Sequence, residues 1–188
     1  QAAAEANGWT LLSDSSWPGY SDLSHRLMEG YTVFMAEADR QISAPTHIFL
    51  QAGVGGLAGA AAAMARKLWG DAPVIVVVEP QYAPALHGCI QAGDFVPAKG
   101  PGSAMGRLDC LEASLIALKG LAKDADVFAL ISEEEGQAGA DYAAAHQMES
   151  TASGAAGLAA LLASPAHRAA LKLDAHSHVL VILSEGPE

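Results

Sequence analysis

Apolar positions along this chain alternate between a helical period and short unbroken runs. Between residues 23 and 41, Leu27, Met28, Tyr31, Phe34 and Ala38 recur at helical spacing, which predicts an amphipathic helix that Pro45 closes off. The run His47–Gln51 predicts a strand, residues 52–56 a glycine loop, and residues 57–69 an alanine-rich helix. Residues 73–78 are apolar throughout, without polar alternation, and predict a strand buried on both faces of a parallel sheet. Beyond it the pattern predicts a helix over 84–91, a short strand at 95–96 and a glycine-proline loop over 98–106. A helix over 111–121, the strand Val127–Ile131 and the helix Glu133–Ala145 come next. Helices over 154–162 and 167–171 and a buried strand over 178–183 complete the chain. Ahead of all of these, the apolar stretch 9–13 leads into a loop over residues 14–20.

Strands alternating with helices predict an α/β fold with a parallel sheet. No internal repeat or linker interrupts the pattern, so residues 1–188 read as a single α/β unit. Composition adds a core and removes partners. Hydrophobic residues make up 51% of the chain and charged residues 16%, enough to bury a sizeable interior. The formal net charge of −11 argues against nucleic acid and anionic membrane surfaces, which require a basic face. No apolar run approaches the ~20 residues of a membrane span, and residues 1–12 lack the order of a signal peptide. We expect a soluble cytoplasmic protein, and the opening Gln1 leads us to expect truncation or processing upstream. Cys89 and Cys110 form no CxxC pair, so a zinc ribbon is excluded. His176 and His178 share a strand face without an evident third ligand, so no metal site is expected; Glu133, Glu134 and Glu135 suit the positive end of a helix.

The candidate chemistry lies where a buried strand runs through Gly53, Val54, Gly55 and Gly56 directly into a helix. Glycines let backbone amides approach an anion, and the helix N-terminus adds unpaired N–H groups with partial positive charge. A tight turn without a ligand remains open on the pattern alone. So does a nucleotide-binding loop, although GxGGxxG departs from the dinucleotide fingerprint and the Walker A lysine is missing.

Residues 45–55, Pro-Thr-His-Ile-Phe-Leu-Gln-Ala-Gly-Val-Gly, resemble the phosphate-loop stretch of the diaminopropionate ammonia-lyases, pyridoxal-phosphate (PLP) enzymes of fold type II. Asp14-Ser15-Ser16-Trp17-Pro18-Gly19-Tyr20 is similar to their D-x-x-W-x-G-Y segment. Val78-Glu79-Pro80 resembles the strand end of threonine and serine dehydratase relatives. Ser153-Gly154-Ala155-Ala156-Gly157-Leu158 is similar to S-G-A-x-G-L, and Ser184-Glu185-Gly186 to a C-terminal Ser/Thr-Glu-Gly. These segments occur in the family's order and span almost the whole chain.

The resemblance implies a three-layer parallel-sheet fold of the tryptophan synthase β-like PLP-dependent type, of which this chain is the C-terminal half. It implies PLP as cofactor, a small amino-acid substrate and a homodimer. Gly53, Val54, Gly55 and Gly56 would hold the cofactor phosphate, Ser184 the pyridine nitrogen, and Asp14 would be an active-site carboxylate. From the residues alone, Asp14 is a loop aspartate suited to an Asx-turn and Ser184 a strand-end serine. The lysine that carries the cofactor in the family belongs to an N-terminal half absent here, and Lys67, Lys99, Lys119, Lys123 and Lys172 lie outside its motif. Ala152 also departs, standing where the family often has glutamate. A threonine or serine dehydratase shares the glycine loop, and the missing lysine permits a non-catalytic anion-binding module. The family further implies a cysteine in each segment that holds Cys89 and Cys110, leaving a disulfide and two free thiols as alternatives.

Overall fold

The computed structural model describes residues 2–187. Four strands, β1 (His47–Gln51), β2 (Val74–Pro80), β3 (Val127–Ile131) and β4 (Val179–Val181), form one sheet in the order β3-β2-β1-β4. All three pairings are parallel, with His47 opposite Val74 on one side and Val179 on the other. Successive side chains of β1 and β2 enter opposite cores. Ile48, Leu50, Ile75 and Val77 join Met35, Ala58, Leu86 and Leu121, whereas Phe49, Val76 and Val78 join Met105, Ile131, Ala156 and Ala159. Two buried faces remove any need for polar alternation, which is why these strands read as unbroken apolar runs.

Helices cover both faces. On the first lie α2 (Asp22–Gln41), α3 (Gly56–Trp69), α4 (Ala85–Ala92) and α5 (Leu115–Asp124); on the second, α7 (Ala156–Ala163) rests on the sheet and α6 (Glu133–Ala145) packs against α7. The α6–α7 contact is close: a Cβ on Gly139 would sit 2.6 Å from the Ala159 Cβ. The Ser132 hydroxyl and the Glu135 carboxylate close a capping box at the start of α6. A 3₁₀ turn, Ser164–His167, and the short α8 (Arg168–Leu171) lead back towards β4. The three-layer parallel arrangement expected from the sequence is therefore present.

Several expectations are corrected. Residues 95–96 pair with no strand: Phe95 is exposed, and the Val96 carbonyl accepts the Cys89 thiol at 3.2 Å. The helix expected over 111–121 begins at Leu115, because Ser16 supplies its cap from 98 residues upstream. Ser16 Oγ meets Ser114 Oγ at 2.8 Å and accepts from the Ile116 amide at 2.9 Å. The final strand is three residues long and half-buried, because only β1 lies beside it. A helix α1 (Ala2–Asn7) was not foreseen; it buries no residue, so no apolar period marks it. Cys89 and Cys110 are both free thiols.

Candidate active site

Strand order reverses at β1: the chain goes on to β2 and β3 on one side and returns to β4 on the other. Crevices at such a switch point open at the carboxyl ends of the strands, the usual place for a ligand in an open α/β sheet. A cavity of about 320 Å³ occupies this position, lined by residues 51–58, by Asp14 and Tyr31, and by Arg107, Leu108, Cys110, Ser184 and Glu185.

β1 delivers the glycine loop into the cavity floor. Gly55 has φ +97°, a left-handed backbone, and caps α3 without a side chain. A Cβ on Gly55 would meet the Leu86 side chain at 3.0 Å, and one on Gly53 would come within 2.9 Å of the Arg107 carbonyl. The loop is held by its surroundings, yet its donors are unused. The amides of Gly53, Gly55 and Gly56 donate to no acceptor among the described residues, and that of Val54 leans on the Cys110 thiol. Gly55 and Gly56 are buried. Buried N–H groups without acceptors are uncommon in folded proteins, and the first turn of α3 carries no acid to neutralise its positive end. Together these donors have the chemistry that an anion calls for.

Opposite the loop, Gln51 reaches across to the end of β4. Its Nε2 lies 2.9 Å from the Gly154 carbonyl, 2.9 Å from the Ile182 carbonyl and 2.8 Å from Ser184 Oγ, three acceptors that share its two hydrogens. Because Ser184 Oγ accepts from Gln51, its own proton is free to be donated. Asp14 stands at the cavity rim, exposed, and its carboxylate accepts no hydrogen bond from the described residues, so the Asx-turn alternative is not realised. The loop bearing it is fixed by its neighbours: Ser24 Oγ donates to the carbonyls of Ser13 and Ser15 at 3.0 and 2.7 Å, and Trp17 stacks on Tyr20. All six site residues expected from the sequence thus line one cavity.

Glu79 and Cys110 have displaced ionisation. Glu79 is fully buried, and burial pushes its carboxyl from 4.5 to about 7, although the Leu86 and His87 amides, each at 2.7 Å, pull it down. It holds the start of α4, and so the Leu86 side chain, against Gly55. The Cys110 thiol is pushed up by burial and by the charges of Asp14 and Asp109, so it stays protonated. Gln51 and Glu185 stood in the sequence only as members of matched segments and Cys110 only as a thiol, with no role in the site assigned to them, and Arg107 did not stand out at all. Gln51 carried a signal from the residues alone, a polar residue ending an apolar strand just before glycines. A larger cavity of about 560 Å³ adjoins the first and shares Arg107 with it. No cluster of three or more His, Cys, Asp or Glu suited to a metal occurs among the described residues, and no lysine lines the 320 Å³ cavity.

Residues 1–185 match the model of a family described as pyridoxal-phosphate dependent enzyme. The diaminopropionate ammonia-lyase of Salmonella typhimurium is 32% identical over 204 residues, covering 97% of this chain and 50% of that protein. The crystal structure of the Escherichia coli diaminopropionate ammonia-lyase, in complex with an aminoacrylate-PLP azomethine reaction intermediate, superposes with a TM-score of 0.89 at 28% identity. That match covers 98% of this chain and 51% of the other. The threonine deaminase isoform 2 of Solanum lycopersicum, at 17% identity and a TM-score of 0.83 over 100% of this chain and 51% of its own, shares the fold. The chain spans about half the length of the curated relatives it matches.

Proposed function

The chain belongs to the pyridoxal-phosphate dependent enzyme family, and we propose from that premise that it forms the cofactor-phosphate-binding domain of an ammonia-lyase acting on 2,3-diaminopropionate. The products are pyruvate and ammonia. The observation that carries this reading is the set of unused amide donors of Gly53, Gly55 and Gly56 on the floor of the cavity. They match a phosphate, and a cavity of about 320 Å³ is at the lower end of the ~300–1,000 Å³ usual for small-molecule sites. The free proton of Ser184 matches an unprotonated pyridine nitrogen at the opposite wall.

Bound PLP supplies an electron sink for β-elimination. The chain's own residues bind and orient. Gly53, Gly55 and Gly56 would hold the phosphate through backbone N–H bonds, aided by the dipole of α3, while the Val54 amide, expected beside them, leans on the Cys110 thiol. Ser184 would donate to the ring nitrogen; a neutral hydroxyl would not hold that nitrogen protonated, so the sink it supports would be mild and suited to elimination. Asp14, unpaired at the rim, takes up a proton or holds the distal ammonium of a diamino acid. That carboxylate favours the diaminopropionate reading over a hydroxy-amino-acid dehydratase, whose substrate carries no second ammonium.

We further take residues 1–188 as one large-domain unit of a longer, cytoplasmic, homodimeric enzyme, to be checked by sedimentation equilibrium. The resemblance supports this, and no helix among the described residues is long and apolar enough to cross a membrane. Because no lysine lines the cavity, borohydride reduction of this chain with PLP should give no stoichiometric adduct on a single lysine. A crystal soaked in PLP tests the site: phosphate oxygens should lie ~2.7–3.2 Å from the loop amides. Density at another site with the loop empty overturns the assignment.

A further inference from the structure

Ser184 sits where no sheet holds it. β4 ends at Val181, and among the described residues the only backbone hydrogen bond of Ser184 is from its N–H to the Gly154 carbonyl, long at 3.3 Å. Glu185 provides firmer anchoring. Its carbonyl accepts from Ser150 Oγ at 2.9 Å, one carboxylate oxygen accepts the Thr151 hydroxyl, and the other faces Arg107 Nε at 3.3 Å. Thr151 Oγ1 also accepts the Gly154 amide at 3.0 Å, so the anchor ties back to the turn that Gln51 bonds. The fit is tight: a Cβ on Gly154 would lie 2.5 Å from Ser150 Oγ and 2.9 Å from the Glu185 Cβ.

The two anchors of the carboxylate are unequal. The Arg107 side chain is 78% exposed, and an ion pair in such a setting contributes little. The Thr151 hydroxyl, bonding a charged acceptor on a side chain only 22% exposed, is the stronger hold.

We propose that Glu185 is a positioning residue: anchored by Thr151 and Arg107, it fixes Ser184 Oγ in place to meet the cofactor's ring nitrogen. This rests on the reading of Ser184 given above. A donor already ordered before binding forms its bond without the entropic cost of being immobilised, so loss of the anchor weakens that bond while Ser184 stays intact.

PLP and inorganic phosphate titrations of the intact protein by equilibrium dialysis test this. Ser184→Ala and Glu185→Ala should each weaken PLP binding ~tenfold. The double variant should be no weaker than Ser184→Ala, since both act through one bond. Glu185→Gln, which keeps an acceptor for Thr151, should stay within ~threefold of the native protein. Thr151→Val, a second way to remove the anchor without the charge, should reproduce Glu185→Ala. Inorganic phosphate, which reaches only the glycine loop, should bind all variants equally. The proposal is overturned if Glu185→Ala and Thr151→Val leave PLP affinity unchanged while Ser184→Ala lowers it, if the losses add to ~hundredfold, or if phosphate binding falls in parallel. A Ser184→Ala variant that binds PLP like the native protein instead removes the reading of Ser184, and the proposal with it.

Discussion

At the glycine-loop end of the cavity the backbone does the holding, whereas at the Ser184 end side chains do. β1 is buried along all five residues and paired on both edges, and it delivers Gly53 and Gly55 into gaps that leave no room for a Cβ. β4 has three half-buried residues and one partner, and Ser184 lies beyond it. Its position depends on Gln51, Thr151 and Glu185, whose partners are 30 to more than 100 residues away. The first end should fail through steric and conformational strain, the second through lost hydrogen bonds.

The largest effect is expected from Gly55→Val. It forces a β-branched side chain into φ +97° and against Leu86, so we expect a loss of ~4 kcal/mol in urea unfolding. Gly186→Val, at the other end and with nothing within 4 Å of its Cβ, should change stability by less than ~0.5 kcal/mol. Equal losses would break the comparison.

Next comes Glu79, which supports the loop from behind through α4. Its carboxyl is raised in the folded state from 4.5 to about 7, so the folded protein binds the proton more tightly than the unfolded chain. Its contribution is fully present below pH ~4.5 and is lost as pH rises through ~7, about 3 kcal/mol in all. Unfolding of the native protein, compared with Glu79→Gln across that window, should show this negative slope. An identical pH dependence for the two proteins would contradict it.

Gln51→Leu should cost ~2 kcal/mol, because the Gly154 and Ile182 carbonyls lose their donor. Phosphate binding at the loop should survive, separating the two ends in a single variant; denaturation with and without phosphate reads both quantities. The smallest stability effect is expected from Asp14→Asn, within ~0.5 kcal/mol by the same assay, since that carboxylate holds no part of the fold. A marked loss of stability there would return Asp14 to a structural role.

The same contrast decided what could be read from the sequence. β1, β3 and α6 have the bounds expected, because an unbroken apolar run or a local capping box carries its own signal. The glycine loop was legible for the same reason: only glycine tolerates the conformation and the contacts at Gly55. The start of α5 was not, because its cap comes from Ser16, 98 residues upstream. Glu185 stood in the sequence only as the middle of the Ser184-Glu185-Gly186 segment, and its anchoring is not legible until Thr151 and Arg107 are folded against it. Ser184 and Asp14 entered through family resemblance, because a strand-end serine and a loop aspartate carry no chemistry until a cavity brings them together.

Amide chemical-shift mapping of the ¹⁵N-labelled protein tests the central claim most directly. Titration with inorganic phosphate should move the resonances of Gly53, Gly55 and Gly56, whose N–H groups have no acceptor among the described residues, and leave Ser184 unmoved. Titration with PLP should move all four. Shifts confined to Gln137, Ser150 and Ser153 of the larger cavity, with the glycine loop silent, would contradict the account.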